Sequence, residues 1–221
     1  MQSESLNRLH IFDCDGVLLD SNAMKIKAMR ETLESLECPS VFVDWAVESF
    51  RQNFGRTRMQ HFRNFGDDKG GRGFCLSVDM IATAMDYYGE RVVSAYQDCE
   101  VISETYDYIS QLSGLESVWV VSASDQKELR SILPKKFPLI KEKYILGGPV
   151  SKIDNIKSVL NIAGNVPCSF YGDAVQDAKA AMATGIEFTG LTKYAADSEA
   201  LQVFCNKNNL MVYSHCYEAI G

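Results

Sequence analysis

The sequence lacks the features that mark secreted, membrane-spanning and disulfide-rich proteins. Its cysteines are odd in number, seven, and no two are spaced as CxxC, which argues against a disulfide framework. The first residues, MQSESLNRLH, do not combine a basic stretch with an apolar one, so no secretory signal is expected. No apolar run approaches the roughly 18 residues that a membrane helix needs. We therefore expect a cytoplasmic protein with free thiols and no membrane partner.

Basic residues and histidines are also scarce. The net charge of −7 argues against a general nucleic-acid surface, so no nucleic-acid partner is expected. None of the three histidines occurs in an HxxxH pattern, and we interpret His61 and His215 as structural. The composition, 46% apolar and 23% charged, is typical of a globular protein with a buried core. Its 221 residues suffice for one large domain or for a domain with a smaller insert.

Short apolar runs alternate with helical patterns along most of the chain. The runs predicted as strands are Leu9–Phe12, Val118–Val121, Tyr144–Leu146, Cys168–Tyr171, Ile186–Leu191 and Met211–Tyr213. Apolar residues recur at helical spacing in Ser151–Ala163, which Gly164 ends, and in Asp177–Thr184, which Gly185 ends. Alternating strands and helices indicate parallel pairing. We therefore predict an α/β fold with a doubly wound parallel sheet.

Residues 21–97 break this alternation, because they contain no convincing strand. Their helical patterns are Asn22–Leu36, Asp44–Phe54, Arg58–Phe65 and Asp79–Tyr96, and a glycine-rich loop, Gly66–Gly73, separates the last two. We predict an all-helical domain of residues 21–97, inserted into a core formed by residues 1–20 and 98–221.

The first predicted strand leads into the sequence DCDG. Ligands of open α/β sheets bind beyond the carboxyl ends of strands, which is where Asp13 and Asp15 lie. Two residues apart, these carboxylates can point the same way, whereas Cys14 points into the opposite layer and should pack in the core. Gly16 allows the chain to turn sharply away. The ordinary alternative for such an acid pair is a solvated turn.

A hydroxyl and an ammonium follow two further strands. Ser122 comes directly after the second predicted strand, where a strand-end or capping serine is the ordinary alternative. Lys152 begins the helix after the turn at 147–149, where a solvated lysine is the ordinary alternative. Both groups are able to hold phosphoryl oxygens.

Two more acids follow the strand Cys168–Tyr171. Asp173 lies just beyond it, and Asp177 opens the next helix, where a turn with a helix cap is the ordinary interpretation. With Asp13 and Asp15, these acids would gather on one sheet edge. Magnesium prefers oxygen ligands and shares phosphate oxygens with the protein. The set predicts Mg²⁺-dependent phosphoryl transfer, which needs mainly positioning and charge neutralisation.

The order of these motifs resembles the haloacid dehalogenase-like superfamily. DxDGV, a strand followed by serine, a lysine and GDxxxD occur in that order over nearly the whole chain. Any one motif alone is weak, but four in order are specific. The closest resemblance is to the phosphoglycolate phosphatase and β-phosphoglucomutase-like branch, which implies a Rossmann-like core with a helical cap inserted after the first strand.

The resemblance implies a role for each matching residue. Asp13 would be the nucleophile that forms an aspartyl-phosphate, and Asp15 the acid/base that protonates the leaving oxygen and then activates water. Ser122 and Lys152 would bind the phosphoryl group, with Lys157 as an alternative lysine. The implied magnesium ligands are Asp13, Asp15 through its backbone carbonyl, Asp173, and Asp177 directly or through water.

The implied activity is hydrolysis of a small phosphorylated metabolite, either a sugar phosphate or a phospho-acid. A phosphomutase of the β-phosphoglucomutase type uses the same residues and returns the phosphoryl group to a bound sugar. A non-catalytic binding protein on the same scaffold is a further alternative, which the intact acid set disfavours. A dehalogenase is also disfavoured, because Asp15 and the magnesium acids suit phosphoryl chemistry.

A basic segment within the predicted cap runs against the net charge of the chain. It comprises Arg51, Arg56, Arg58, His61, Arg63, Lys69 and Arg72. A solvated helical face is the ordinary interpretation. Above a phosphatase site, a guanidinium could instead bind a second anionic group of the substrate through its planar fork of donors. If the apolar residues of this helix pack inward, Arg56 and Arg58 are freer than Arg63 to contact the substrate.

Overall fold

The computed structural model describes residues 8–67, 73–112, 117–164 and 166–220. Its six strands are β1 Leu9–Phe12, β2 Val118–Asp125, β3 Ile145–Gly148, β4 Cys168–Gly172, β5 Glu187–Leu191 and β6 Met211–Tyr213. They form one sheet in the order β3-β2-β1-β4-β5-β6, and every neighbouring pair is parallel. The predicted doubly wound parallel sheet is confirmed. The strand order reverses beside β1. Sheets of this kind bind ligands beyond the carboxyl ends of the strands at that point, which here is the carboxyl end of β1.

Helices occupy both sides of this sheet. They are α1 Asn22–Ser35, α2 Ser40–Gln52, α3 Arg58–Phe65, α4 Val78–Asp98, α5 Ser103–Gln111, α6 Gln126–Lys136, α7 Lys152–Ala163, α8 Val175–Thr184 and α9 Ser198–Lys207. Between β1 and β2 the described residues form helices and no strand, as predicted for the helical insert. No helix in the described ranges is long and apolar enough to span a membrane.

Several element boundaries differ from the sequence predictions. Helix α2 begins earlier than predicted, because Pro39 occupies its N-cap position and the residues after it continue as helix. Strand β2 continues through the predicted end at Val121 to Asp125, with an irregularity in its pairing to β3 between those residues. Helices α5, α6 and α9 are not among the helices predicted from the sequence. The predicted glycine-rich loop extends into residues 68–72, which lie outside the described residues.

Successive residues of β1 face opposite sides of the sheet. Ile11 packs with Phe170 in a core that contains residues of α7, α8 and α9. Phe12 packs on the other side, where its ring stacks on Tyr171 at a centroid distance of 4.7 Å. Cys14 is fully buried on the side of Phe12, as strand alternation predicted. Because both faces are covered, the strand ends are the part of the sheet that remains available to a ligand.

The insert helices pack on one another and continue the core on the Phe12 side. Phe62 and Phe65 of α3 are fully buried, as expected from the helical pattern. Thr57 caps α3 in a reciprocal arrangement in which its backbone N–H donates to Gln60 Oε1, 2.8 Å away. The cap fixes the start of α3 beside the strand ends, so the residues around position 57 face the core domain.

Candidate active site

Four chain segments meet beyond the carboxyl end of β1. Asp13 follows β1, Ser122 lies within β2, Lys152 is the first residue of α7, and Asp173 follows β4. Each is at most 6% exposed. Asp13, Ser122 and Lys152 line one cavity of about 40 Å³ together with Asp15. The structure therefore brings together the groups that the sequence placed at separate strand ends.

Lys152 is buried among carboxylates. Its Nζ lies 2.9 Å from Asp13 Oδ2 and also contacts Asp177. Ser151 caps α7 by accepting a hydrogen bond from the backbone of the first turn, which places Lys152 at the helix start. Burial opposes the charge of Lys152, but the two carboxylates outweigh it and raise the lysine pKa. The alternative lysine, Lys157, is exposed on the same helix.

Three buried acids form a compact oxygen cluster. Asp13, Asp173 and Asp177 each offer a carboxylate oxygen, and these oxygens lie within 4.8 Å of one another. Burial, with the nearby Asp177 and Asp15, raises the pKa of Asp13 to about 7 against the opposing effect of Lys152. Burial, with the nearby Asp177 and Asp13, raises the pKa of Asp173 well above its usual range. A cation within the cluster would relieve this repulsion.

The unpaired oxygen of Asp13 tests whether the cluster suits magnesium. Asp13 Oδ1 is buried and has no hydrogen-bond partner within the described parts of the chain. A buried carboxylate oxygen without a donor is unfavourable unless something positive contacts it. Three hard oxygen donors and no sulfur or imidazole ligand suit Mg²⁺. The residues present therefore fit the ion implied by the sequence.

Two glycines make room for these acids. A Cβ at Gly172 would lie 2.5 Å from Asp177 Cβ, and a Cβ at Gly16 would lie 2.2 Å from Asp173 Oδ2. Gly16 also has φ of +71°, which disfavours other residues. Asp177 Oδ2 accepts a backbone hydrogen bond at the start of α8, and Asp173 Oδ2 accepts one from Asn22 Nδ2 at 2.6 Å. Gly16 and Gly172 are thus required because an acidic side chain of the site lies too close to each of them for a Cβ to fit.

Asp15 lies in the same cavity but has a different set of partners. Its Oδ1 accepts hydrogen bonds from Ser21 Oγ at 2.6 Å and Tyr96 OH at 2.8 Å. Its Oδ2 accepts from Lys25 Nζ at 2.5 Å and Ser124 Oγ at 2.7 Å. Burial acts to raise the pKa of Asp15, but these donors, led by the Lys25 ammonium, outweigh burial and lower it. The carboxylate is held as the anion, apart from the acid cluster.

Sequence reasoning missed Lys25 and Tyr96 as site residues. They come from α1 and α4 of the insert, and both are buried against Asp15. A lysine or tyrosine within a helical pattern is ordinarily a surface or packing residue, so spacing alone carried no signal. The one available clue was that a helix begins shortly after the DxDG segment. The first turns of such a helix lie near Asp15.

The insert forms the roof of the cavity, opposite the strand ends. The roof is largely aromatic and apolar, with two arginines at its side. Its residues are Phe50, Phe54, Arg56, Arg58, His61, Tyr88 and Val92.

Arg58 lines the cavity, but its guanidinium is already paired. Its Nη2 lies 2.8 and 2.9 Å from the two carboxylate oxygens of Glu128, at the start of α6. The guanidinium also lies over the ring of Tyr88, 5.0 Å from its centroid. Arg58 therefore links the insert to the core, and it separates the cavity from an outer cleft of about 450 Å³.

The other basic residues of the segment differ in their surroundings. Arg56 is exposed at the cavity and forms no ion pair with any described residue. Arg51 bonds to acidic side chains of its own helix and of the core. Arg63 is exposed and lines the outer cleft instead. Lys69 and Arg72 lie outside the described residues.

Comparison with solved structures shows the same fold in several proteins. A predicted phosphatase from Clostridium acetobutylicum is 19% identical, with 97% of this chain and 96% of that chain covered and a TM-score of 0.70. A predicted phosphoglycolate phosphatase from Haemophilus somnus is 18% identical, with 89% and 92% covered and a TM-score of 0.67. CbbY from Rhodobacter sphaeroides, solved in complex with phosphate, is 16% identical, with 86% and 88% covered and a TM-score of 0.63.

A match to a protein family connects this fold to the site. No curated protein matches the chain. The family described as haloacid dehalogenase-like hydrolase matches residues 10–191. This range contains the groups at the strand ends, which form the floor of the site: Asp13, Asp15, Ser122, Lys152, Asp173 and Asp177. The chain therefore belongs to the haloacid dehalogenase-like hydrolase family, as the order of its motifs predicted.

Proposed function

We propose that this chain is a Mg²⁺-dependent phosphatase that hydrolyses a small phosphorylated metabolite, a sugar phosphate or a phospho-acid, through an aspartyl-phosphate on Asp13. The observation that supports this most directly is the environment of Asp13. One of its oxygens contacts the Lys152 ammonium, and the other is buried beside two further acids with no partner in the described parts of the chain. The Asp13 carboxylate thus serves as the nucleophile, contacts the lysine that binds the phosphoryl group, and contributes an oxygen to the metal site.

The proposed ligands of magnesium are Asp13, Asp173, Asp177 and the backbone carbonyl of Asp15. When bound, the ion neutralises the negative charge of the phosphoryl oxygens and orients them. Lys152 and Ser122 hold phosphoryl oxygens from the other side. Ser122 is buried, and its Oγ accepts a hydrogen bond from the backbone N–H of Ser124 at 3.2 Å, which leaves its own proton to donate.

In the first half of the reaction, an Asp13 oxygen attacks phosphorus as the bond to the leaving oxygen breaks. The leaving oxygen takes a proton from Asp15, which must first bind one from solvent against the hydrogen bonds that favour its anion. In the second half, water attacks phosphorus, its proton passes to Asp15, and Asp13 is released with inorganic phosphate. The hydrogen bonds around Asp15 support its part as a base in the second half, because they favour the anion.

We further propose that residues 21–97 act as a cap domain over a core of residues 1–20 and 98–221. Ion pairs join the two parts at Lys25 and at Arg58. Of the two arginines expected to contact substrate, Arg56 keeps that role, because no carboxylate of the described residues forms an ion pair with it. Arg58 contacts substrate at the cavity wall only if its ion pair with Glu128 breaks.

The activity is tested by phosphate release from p-nitrophenyl phosphate, with and without Mg²⁺. The wild-type protein should release phosphate and lose that activity with a chelator. Asp13→Asn should abolish turnover in a folded protein, while Asp20→Asn, at an exposed acid near the same motif, serves as the matched control. Mass spectrometry of acid-quenched enzyme should find one phosphoryl group on Asp13. Near-wild-type activity of folded Asp13→Asn would remove the mechanism.

The same assay separates the phosphatase from a phosphomutase. A mutase requires a bisphosphorylated activator or intermediate and returns the phosphoryl group to a sugar. Release of phosphate without such a compound favours the phosphatase. Transfer to a sugar phosphate in preference to water would favour the mutase.

We also propose a cytoplasmic location. All seven cysteines are free thiols, and five of them are buried. Free thiols persist in reducing compartments, whereas oxidising compartments favour disulfides. Fractionation of the source cells, followed by detection with an antibody, tests this directly.

A further inference from the structure

His61 is a buried imidazole in the roof of the catalytic cavity. Its side chain lines the same cavity as Asp13 and Lys152, and the residue is 3% exposed. Its side chain forms no hydrogen bond with any residue in the described ranges, whereas its backbone N–H donates to the Thr57 carbonyl. Its ring nitrogens are not among the buried side-chain atoms that lack a partner, so they are open to the cavity, where a neutral imidazole offers a ligand one donor and one acceptor. The interior of the cavity is where a partner for His61 has room to bind.

The ring of His61 is held in place by aromatic neighbours. Its centroid lies 4.6 Å from that of Phe50 and 6.4 Å from that of Phe65. The helix that carries it, α3, is fixed at its start by the capping arrangement of Thr57 and Gln60. The imidazole is therefore presented to the cavity by a rigid support, which is the condition for selecting one ligand geometry over another.

The surroundings of His61 determine what kind of group it can bind. Burial lowers the pKa of His61 to about 3, and the nearby cations Arg56 and Lys25 act in the same direction. The ring is neutral at physiological pH, so it offers no charge to a second anion. The acid cluster of the floor does not include His61, and no second cluster of metal-binding side chains occurs in the described residues. A hydroxyl, which both donates and accepts, matches a neutral imidazole.

We propose that His61 determines substrate specificity by hydrogen-bonding a hydroxyl group on the leaving alcohol. This inference rests on the proposed phosphatase function and narrows its substrate class. The phosphoryl group occupies the floor beside Asp13, and the leaving alcohol then extends toward the roof. The preferred substrate is a phosphomonoester whose alcohol carries a further hydroxyl near the ester, as in phosphorylated polyols and sugars. The aromatic groups around His61 contact the carbon skeleton.

Matched substrate pairs test this selectivity. Glycerol 3-phosphate and propyl phosphate differ in hydroxyl groups at similar length, and ribose 5-phosphate with cyclopentylmethyl phosphate forms a second pair. In His61→Phe, which keeps the aromatic packing, kcat/KM for the hydroxylated member should fall about tenfold more than for its partner, because one hydrogen bond is lost. His61→Asn retains a donor and an acceptor and should recover part of the difference. His215→Phe, at the half-buried histidine outside the cavity, is the matched control.

Equal losses on both members of each pair would overturn the proposal, provided that thermal unfolding shows His61→Phe to be folded. A proton NMR titration gives a second readout that does not require turnover. The chain has three histidines, and His61→Phe assigns the His61 Cε1–H signal by its disappearance. With Mg²⁺ present, glycerol 3-phosphate should shift this signal more than propyl phosphate does. Equal shifts would contradict the hydroxyl contact.

The two measurements also separate this inference from the function on which it rests. Absence of phosphate release from every ester by the wild-type protein contradicts the phosphatase, whatever His61 does. Release of phosphate with no selectivity at His61 contradicts only the specificity role.

Discussion

The floor and the roof of the catalytic cavity differ in how their polar groups are satisfied. On the floor, Lys152 contacts two carboxylates, and Asp15 accepts four hydrogen bonds from protein groups. On the roof, the side chains of His61 and Arg56 have no such partners among the described residues, and the His61 ring packs beside Phe50 and Phe65. Groups that are already paired hold one geometry for every substrate. Groups left unpaired form hydrogen bonds or ion pairs only with a substrate that carries a matching group. We therefore assign the reaction to the floor and substrate selection to the roof.

The two regions are not independent, because ion pairs join them. Lys25 of the insert contacts Asp15 on the floor, and Arg58 of the insert contacts Glu128 of the core. Both pairs are mostly buried, with each side chain at most 17% exposed. Movement of the insert away from the core would therefore separate charges at both places. The comparison predicts that floor substitutions change stability and chemistry together, whereas roof substitutions mainly change substrate preference.

The largest effect is expected at Lys152. Lys152→Met keeps the length of the side chain but leaves Asp13 and Asp177 without their cation. Removing one partner of a buried ion pair costs about 3–5 kcal/mol of unfolding free energy. Urea denaturation of the metal-free protein measures this loss. Mg²⁺ should restore part of the stability, because a cation in the acid cluster again compensates the carboxylates.

Lys157→Met provides the matched control for this prediction. It replaces the same residue type on the same helix at an exposed position, and should change stability by less than about 0.5 kcal/mol. Similar losses in both variants would show that the floor does not depend on the charge of Lys152.

The second prediction concerns pH and metal. An unfolded Asp ionises near 3.8, whereas Asp13 in the folded, metal-free protein ionises near 7. Between these pH values the unfolded state releases a proton that the folded state keeps, so rising pH favours unfolding. The Asp13 contribution amounts to roughly 1.4 kcal/mol for each pKa unit. Thermal melts of chelator-treated protein should show Tm falling from about pH 4 to pH 7 at constant ionic strength.

Added Mg²⁺ should weaken or abolish that fall, because the bound cation favours ionised acids. Asp173 acts in the same direction as Asp13, since its pKa is also raised. Asp15, whose pKa is lowered, acts in the opposite direction, but below about pH 4 and therefore outside this interval. A metal-free Tm that rises through the interval would mean that the acid cluster does not control stability.

The third prediction concerns the ion pair between roof and floor. Arg58→Met leaves Glu128 partly buried without its partner, and should cost about 1–3 kcal/mol of unfolding free energy. Arg58→Met combined with Glu128→Gln should cost less than the sum of the two single variants. Arg63→Met, at an exposed arginine of the same helix, is the control. Additive effects at Arg58 and Glu128 would show that the contact contributes little to the attachment of the insert.

The smallest effect is expected at Arg56. Arg56→Met should leave stability within about 0.5 kcal/mol, because the side chain is exposed and unpaired with described acids. It should lower kcat/KM for a substrate with a second anionic group by about five- to tenfold, and much less for p-nitrophenyl phosphate. This is measured by comparing the loss of kcat/KM in Arg56→Met for a phospho-acid with the loss for its analogue that lacks the acid group. Equal losses of kcat/KM on both substrates would show that Arg56 is only a solvated residue.

Much of the floor could be predicted because parallel strands place their carboxyl ends on one edge. Asp13, Ser122 and Asp173 each follow or end an apolar run, so the fold class alone brought them near one another. Lys152 was predictable from the strand–turn–helix pattern that precedes it. Ser124 could not be assigned from the sequence as a partner of Asp15, because the continuation of β2 past Val121 depends on its pairing with β3.

Local pattern also determined the helical nature of the insert, the positions of several caps and the glycines of the two acidic motifs. Tertiary structure decided which insert side chains face the cavity. Lys25, Tyr96 and His61 occupy ordinary helical positions, and their approach to Asp15 or to the cavity depends on how α1, α3 and α4 pack over the sheet. A helix presents several faces with similar spacing, and only the packing between distant elements selects the one that meets the site.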